Sequence, residues 1–170
     1  MKKVLLAIDG LTPDQKAFHY AVGLCQRIRV ELNIFQVIRP GIFKKYRDGL
    51  RKKGLMVRRL FEETMVAVTY AEADEHATAR DMLARASQES QRLLHASEKA
   101  GVPCHFSVGS GTPDREIIDY VKSHRDIVMT IYDAAVTGGR EDVGQSGKKR
   151  TLKRINKDLG IPVITVAQER

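Results

Sequence analysis

The sequence predicts an α/β protein built on an open parallel sheet with helices on both faces. Three observations carry that expectation. Short apolar runs alternate with stretches of helical periodicity in the order β-α-β-(insert, α)-β-α-β-α-β. The runs are nearly continuous rather than alternating, as in strands covered on both sides. With 170 residues, 42% of them hydrophobic and 29% charged, the chain suffices for one ordinary domain whose core needs neither metal nor disulfide.

Lys3 to Ile8 is the first such run and ends at Asp9-Gly10. Thr12-Pro13-Asp14-Gln15 then starts a helix, with Thr12 as cap, Pro13 at the first helical position and Gln15 completing a capping box. Ala17, Ala21, Leu24, Cys25 and Ile28 give that helix one apolar face. Glu31 to Ile38 is the second strand, closed by Arg39-Pro40-Gly41. Helical spacing returns from about Ala73 to Lys99 and stops at Gly101-Val102-Pro103. Cys104 to Val108 is the third strand, and Gly109 to Asp114 turns into a helix carrying Ile117, Ile118, Tyr120 and Val121. Asp126 to Tyr132 is the fourth strand. Asp133 to Arg150, with four glycines, reads as a loop, Thr151 to Leu159 as the last helix, capped by Gly160, and Ile161 to Val166 as the last strand. The tripeptide Thr-Pro-Asp occurs at 12–14 and again at 112–114, which reads as one helix-start device used twice.

The formal charge of +8 is unevenly spread. Residues 39–60 hold nine lysines and arginines against Asp48, residues 61–98 hold eight acids against three arginines, and residues 140–157 hold seven bases against two acids. A uniformly basic nucleic-acid binder has no such acidic middle. No zinc spacing, nucleophile elbow or Ser/His/Asp ordering is present. The histidines at 19, 76, 95, 105 and 124 are scattered, and the two cysteines form no disulfide framework. No apolar run reaches the length of a membrane span, and the first residues do not read as a signal peptide, so a cytoplasmic location is expected.

In an open parallel sheet, ligands bind beyond the carboxyl ends of the strands where the strand order reverses. For the order 3-2-1-4-5 that crevice is lined by Ala7, Ile8, Asp9 and Gly10, by Val37 and Ile38, and by Met129 to Asp133. The glycine-rich stretch from Gly138 then leads to a helix start with Lys148, Lys149 and Arg150, a fit for an anion such as phosphate. Each residue also has a plainer role: Asp9 as a turn residue, the glycines as loop, the bases as a solvated face.

The segments Lys3 to Gly10 and Asn33 to Ile38, Gly109-x-Gly111-x-Pro113 with Glu116-Ile117-Ile118, Asp126 to Met129, and Gly160 to Val166 together resemble the universal stress protein family. The resemblance implies a single domain over residues 1–170, with a basic insertion at about 40–72. It implies a Rossmann-like, adenine nucleotide alpha hydrolase-like sheet in the order 3-2-1-4-5, and a homodimer often paired through the last strand. It further implies one of two subtypes: one binds ATP (with Mg) or AMP in the crevice, and the other lacks the site. For a bound nucleotide, the resemblance and the crevice together place Asp9 at the ribose, Val37 and Met129 near the base, and Gly144, Ser146, Gly147 and Lys149 on the phosphates, with Ile8 and Thr130 also among the binding residues. The family's glycine pattern is altered here: Thr130 and Asp133 stand where its first two glycines are expected, and Asp133 repels anions.

Three functions compete from these residues. The first is a regulatory stress-response protein without turnover, binding ATP or AMP. The second is a member without nucleotide, acting through the basic residues 39–61 on a membrane transporter, an acidic partner or an anionic membrane surface. The third is an adenine-nucleotide-dependent enzyme. Its P-loop version fails at position 142, where a glycine is required and Asp142 stands. Nucleic acid is the least expected partner, since no recognition helix, aromatic strand pair or zinc finger is present.

Overall fold

Nine elements build one sheet and its two helical layers in the computed structural model, which describes residues 1–10, 13–38, 77–133 and 141–166, with the backbone alone over 77–87 and 141–146. They are β1 (Lys3–Asp9), α1 (Gln15–Ile28), β2 (Glu31–Ile38), α2 (Ala77–Lys99), β3 (Cys104–Ser110), α3 (Pro113–Ser123), β4 (Ile127–Asp133), α4 (Glu141–Asp158) and β5 (Val163–Thr165). All strand pairs are parallel and the order is β3-β2-β1-β4-β5, as expected from the sequence. The expected basic insertion at 40–72, and with it the proposed interaction surface at 39–61, lies outside the described residues.

The apolar runs become strands because both of their faces are covered. In β1, Val4, Leu6 and Ile8 join a core with Ala17, Phe18, Ala21, Val22 and Cys25 of α1 and Leu93 of α2. Leu5 and Ala7 point the other way, to Ile117, Ile118 and Val121 of α3 and Ile155 of α4. Each buried Leu or Ile adds about 1.5–3 kcal/mol of transfer free energy. At the strand's start, Lys3 bonds Asp126 at 2.8 Å and stands 3.9 Å from Glu31, tying β1 to the beginnings of β4 and β2.

Two of the boundaries that differ from expectation have a clear physical cause. The cap of α1 is Asp14: its carboxylate accepts from the Lys16 N–H at 2.9 Å, while its own N–H donates to Asp133 at 2.6 Å. A tertiary contact to β4 thus sets the start, Pro13 stays ahead of the helix, and Gln15 is its first residue rather than the third. At 112–114 the cap is Thr112 with Pro113 at the first helical position, so the repeated tripeptide is used in two different registers. The second difference is α4, which begins at Glu141 rather than Thr151. Four glycines suggested a loop, yet the two that fall within the helix, Gly144 and Gly147, each cost its interior only about 1 kcal/mol. The good helix formers around them and the apolar face of Leu152, Ile155 and Leu159 outweigh that.

The glycines at the end of β3 have a steric cause. A Cβ on Gly109 would lie 2.6 Å from the Phe35 ring. That ring cannot swing away, because it is 5% exposed and stacks on Tyr120 at 4.1 Å, with His124 stacked beyond at 4.1 Å. The Tyr120 hydroxyl also accepts from the buried Asn33 amide at 3.0 Å and lies 2.9 Å from the Ser107 hydroxyl. This stack fastens α3 to β2 and β3. Gly109→Ala is therefore expected to destabilise the fold by about 1–3 kcal/mol, as overpacking does, read from the urea midpoint. An unchanged midpoint would show that the ring is free to move.

Candidate functional site

The chain leaves β1 and β4 toward opposite faces of the sheet: α1 packs on one side and α4 on the other. The two strands stay paired to their carboxyl ends, at Ile8 and Asp133, and the helices that follow them lie on opposite faces, which marks the switch point where such sheets hold ligands. Asp9 ends β1, opposite Val37 of β2, and Asp133 ends β4, opposite Ile8. Both carboxylates are buried, each residue 4% exposed.

Buried carboxylates need donors, and the fold supplies them. The Tyr132 hydroxyl donates to Asp9 Oδ2 at 2.7 Å. The N–H of Asp14 donates to Asp133 Oδ2, so the start of α1 is fixed to the end of β4. Gly10 turns the chain at φ +143°, a conformation that side chains with a Cβ rarely adopt. Its N–H donates to the Val37 carbonyl at 3.3 Å, and its carbonyl accepts from the buried Gln36 amide at 2.7 Å. The floor of the crevice is thus a rigid, hydrogen-bonded rim carrying two carboxylates.

Of the residues the sequence singles out, Ile8, Asp9 and Val37 meet at this rim. Ile8 faces the α1 side of the core, and Val37 the side of α3 and α4. Met129 and Thr130 are a correction. The register pairs them with Val4 and Leu5, so they lie three to four strand positions, roughly 10–13 Å, before the carboxyl end. Met129 packs against the core, and Thr130 is fully buried with its hydroxyl unpartnered.

Gly144, Ser146, Gly147 and Lys149 are a second correction, for they stand in α4 rather than in a loop. The side chain of Ser146 and the surroundings of Gly144 lie outside what is described. From Gln145 onward the amide groups of such a helix are spent on carbonyls four residues back, so Gly147 and Lys149 present no free amide cradle. Gly147 has open space where a Cβ would stand, and its carbonyl accepts from Thr151 Oγ1 at 3.0 Å. The Lys149 side chain is exposed.

The rim has contributors that sequence reasoning missed, Gln36 and the amide of Asp14, and Tyr132, expected only as part of the lining, acts there as a donor to Asp9. Gln36 had a readable signal, since an amide inside a doubly covered strand must have a partner. Chemically, the rim offers acceptors for hydroxyl groups. Among the described residues it brings no cation to a phosphate, and no cluster of three His, Cys, Asp or Glu side chains able to hold a metal is found. Nor is a thiol nucleophile at hand: burial pushes Cys25 up to about 11 and Cys104 up to about 12, so both stay protonated at neutral pH.

A family model described as the universal stress protein family matches residues 1–128. No curated protein matches the chain. Among solved structures, universal stress protein UspA from Lactobacillus plantarum is 17% identical with a TM-score of 0.61, over 98% of this chain and 97% of that one. A universal stress protein family protein from Arabidopsis thaliana with AMP bound is 16% identical with a TM-score of 0.52, over 99% and 93%. The universal stress protein from Archaeoglobus fulgidus in complex with dAMP is 10% identical with a TM-score of 0.51, over 98% of each chain. These likenesses carry the fold.

Two substitutions test the placement of the glycine and threonine. Gly147→Ala is expected to raise stability by about 0.5–1 kcal/mol, and Thr130→Val by about 1 kcal/mol because it removes an unpartnered buried hydroxyl. Both are read as shifts in thermal midpoint. A loss of stability in either would place that residue in a tighter or polar setting.

Proposed function

The chain belongs to the universal stress protein family, and we propose that it is a regulatory, stress-response member that binds rather than turns over its ligand. The ligand class is an adenine nucleotide, AMP or ATP, seated beyond the carboxyl ends of β1 and β4. The observation that carries this reading is Asp9: a buried carboxylate at the end of the central strand, beside Val37, where the helices after β1 and β4 take opposite faces. A ribose diol is the natural donor for such an acceptor. The AMP and dAMP carried by the two neighbours named above support the same ligand class. The protein works in this reading as a cytoplasmic homodimer.

One observation favours a second reading. The Tyr132 hydroxyl already bonds Asp9, and Asp133 keeps a second carboxylate near the path of the phosphates. A nucleotide must displace the phenol and approach that charge. A member that has given up the nucleotide and acts through protein contacts has the same features.

Calorimetric titration of AMP and ATP separates the two. Under the first reading the wild type binds, and Asp9→Ala weakens binding tenfold or more. That corresponds to losing a hydrogen bond to a charged acceptor, about 1.5–3 kcal/mol. Tyr132→Phe tightens binding several-fold, because the phenol no longer competes with the ligand for Asp9 Oδ2. Heat from Tyr132→Phe but none from the wild type at millimolar nucleotide supports the second reading. No heat from either protein removes the nucleotide altogether.

A further inference from the structure

The outward face of α4 carries a dense row of exposed basic residues from Lys149 to Lys157. Between Gly147 and Lys157 stand six bases and no acid. At 100° per residue, Lys149, Arg150, Lys153, Arg154 and Lys157 fall within an arc of about 140°. The arc lies opposite the buried line of Thr151, Ile155 and Leu159. All five are exposed, and Asp158 borders the arc at its end. Only Arg154 is committed, to Asp114 of α3, and that bond holds the helix in place. Lys149, Arg150, Lys153 and Lys157 make no ion pair with the described residues. Lys149, Lys153 and Lys157 follow one another at about 6 Å along the axis.

Like charges at this density repel one another on the free helix, so the face is favoured by a partner that brings negative charge in a row. Three classes of partner differ in what else they require. A protein interface needs apolar or aromatic anchors at its centre and is depleted in lysine, whereas this arc holds three lysines and no aromatic residue. An anionic bilayer surface is held through an apolar helix face sunk among the lipids, and the apolar face of α4 is spent on the core. A phosphodiester backbone asks for cations alone, held on a rigid support and free to reach. We propose that the outward face of α4 binds the backbone of a nucleic acid, without reading its sequence. The absence of a recognition motif is then expected, since phosphate contacts position a protein but carry no base information.

The test is fluorescence anisotropy with a labelled mixed-sequence DNA duplex over a salt series. It compares wild type with a variant carrying Lys149→Gln, Arg150→Gln, Lys153→Gln and Lys157→Gln. Removing four phosphate contacts is expected to reduce the slope of log affinity against log salt by about 3–4, and to weaken binding at least tenfold at low salt. Lys153→Gln alone reduces the slope by about one, which guards against a fold defect in the fourfold variant. A control with Lys2→Gln, Lys16→Gln, Arg27→Gln and Lys99→Gln removes the same charge elsewhere and leaves the slope within one of the wild type. No binding by the wild type, an unchanged slope in the fourfold variant, or an equal drop in the control overturns the proposal. So does tighter binding to anionic lipid vesicles or to polyglutamate than to the duplex at the same salt. None of these outcomes depends on whether the crevice holds a nucleotide.

Discussion

Everything in this molecule is arranged around a strand that has no exposed side. From Val4 to Asp9 every residue of β1 is buried, with β2 and β4 on its edges and helices above and below. A strand so enclosed is apolar until its last position, where the chain must leave. There the backbone turns at Gly10, and a carboxylate is set into a nearly dry environment. The carboxylate is tolerable only with a donor, and the donor comes from β4, the next strand, through Tyr132. Enclosure of the strand therefore explains both the crevice and its chemistry.

How far the sequence could be read follows from the range of the interactions involved. Strand β2 was legible to both ends, because a run of eight residues between Arg29-Val30 and Arg39-Pro40 depends on local composition. The sheet order came from the resemblance as a whole. Asp9 was legible as the end of an apolar run. What escaped reading was set at a distance. The cap of α1 depends on Asp133, 119 residues away. The register of β4 against β1 slips between Lys3 and Val4, where Lys3 pairs with Ile127 and Val4 with Met129, and no local pattern announces such a slip. The slip moves Met129 and Thr130 by one position, and the continuation of β4 to Asp133 accounts for the rest of their distance from the rim.

The two glycines of α4 show the opposite error. Local propensity was given too much weight, and the tertiary face of Leu152, Ile155 and Leu159 decided the matter. The consequence reaches the site. A loop of glycines can fold its amides around phosphates, but a helix beginning at Glu141 has spent them by Gln145. The family match ends at residue 128, ahead of both of these glycines. The bases that a phosphate loop would have gathered are instead displayed along the outside of α4.

The bond between Tyr132 and Asp9 also gives the protein a built-in optical gauge. The chain has no tryptophan, and beside five weakly absorbing phenylalanines its five tyrosines dominate the near-ultraviolet spectrum. A phenol hydrogen-bonded to a carboxylate in a dry setting absorbs and emits differently from one in water. Any molecule that takes the Asp9 carboxylate for itself would change the colour of that single ring, and occupancy of the crevice would be visible without a label.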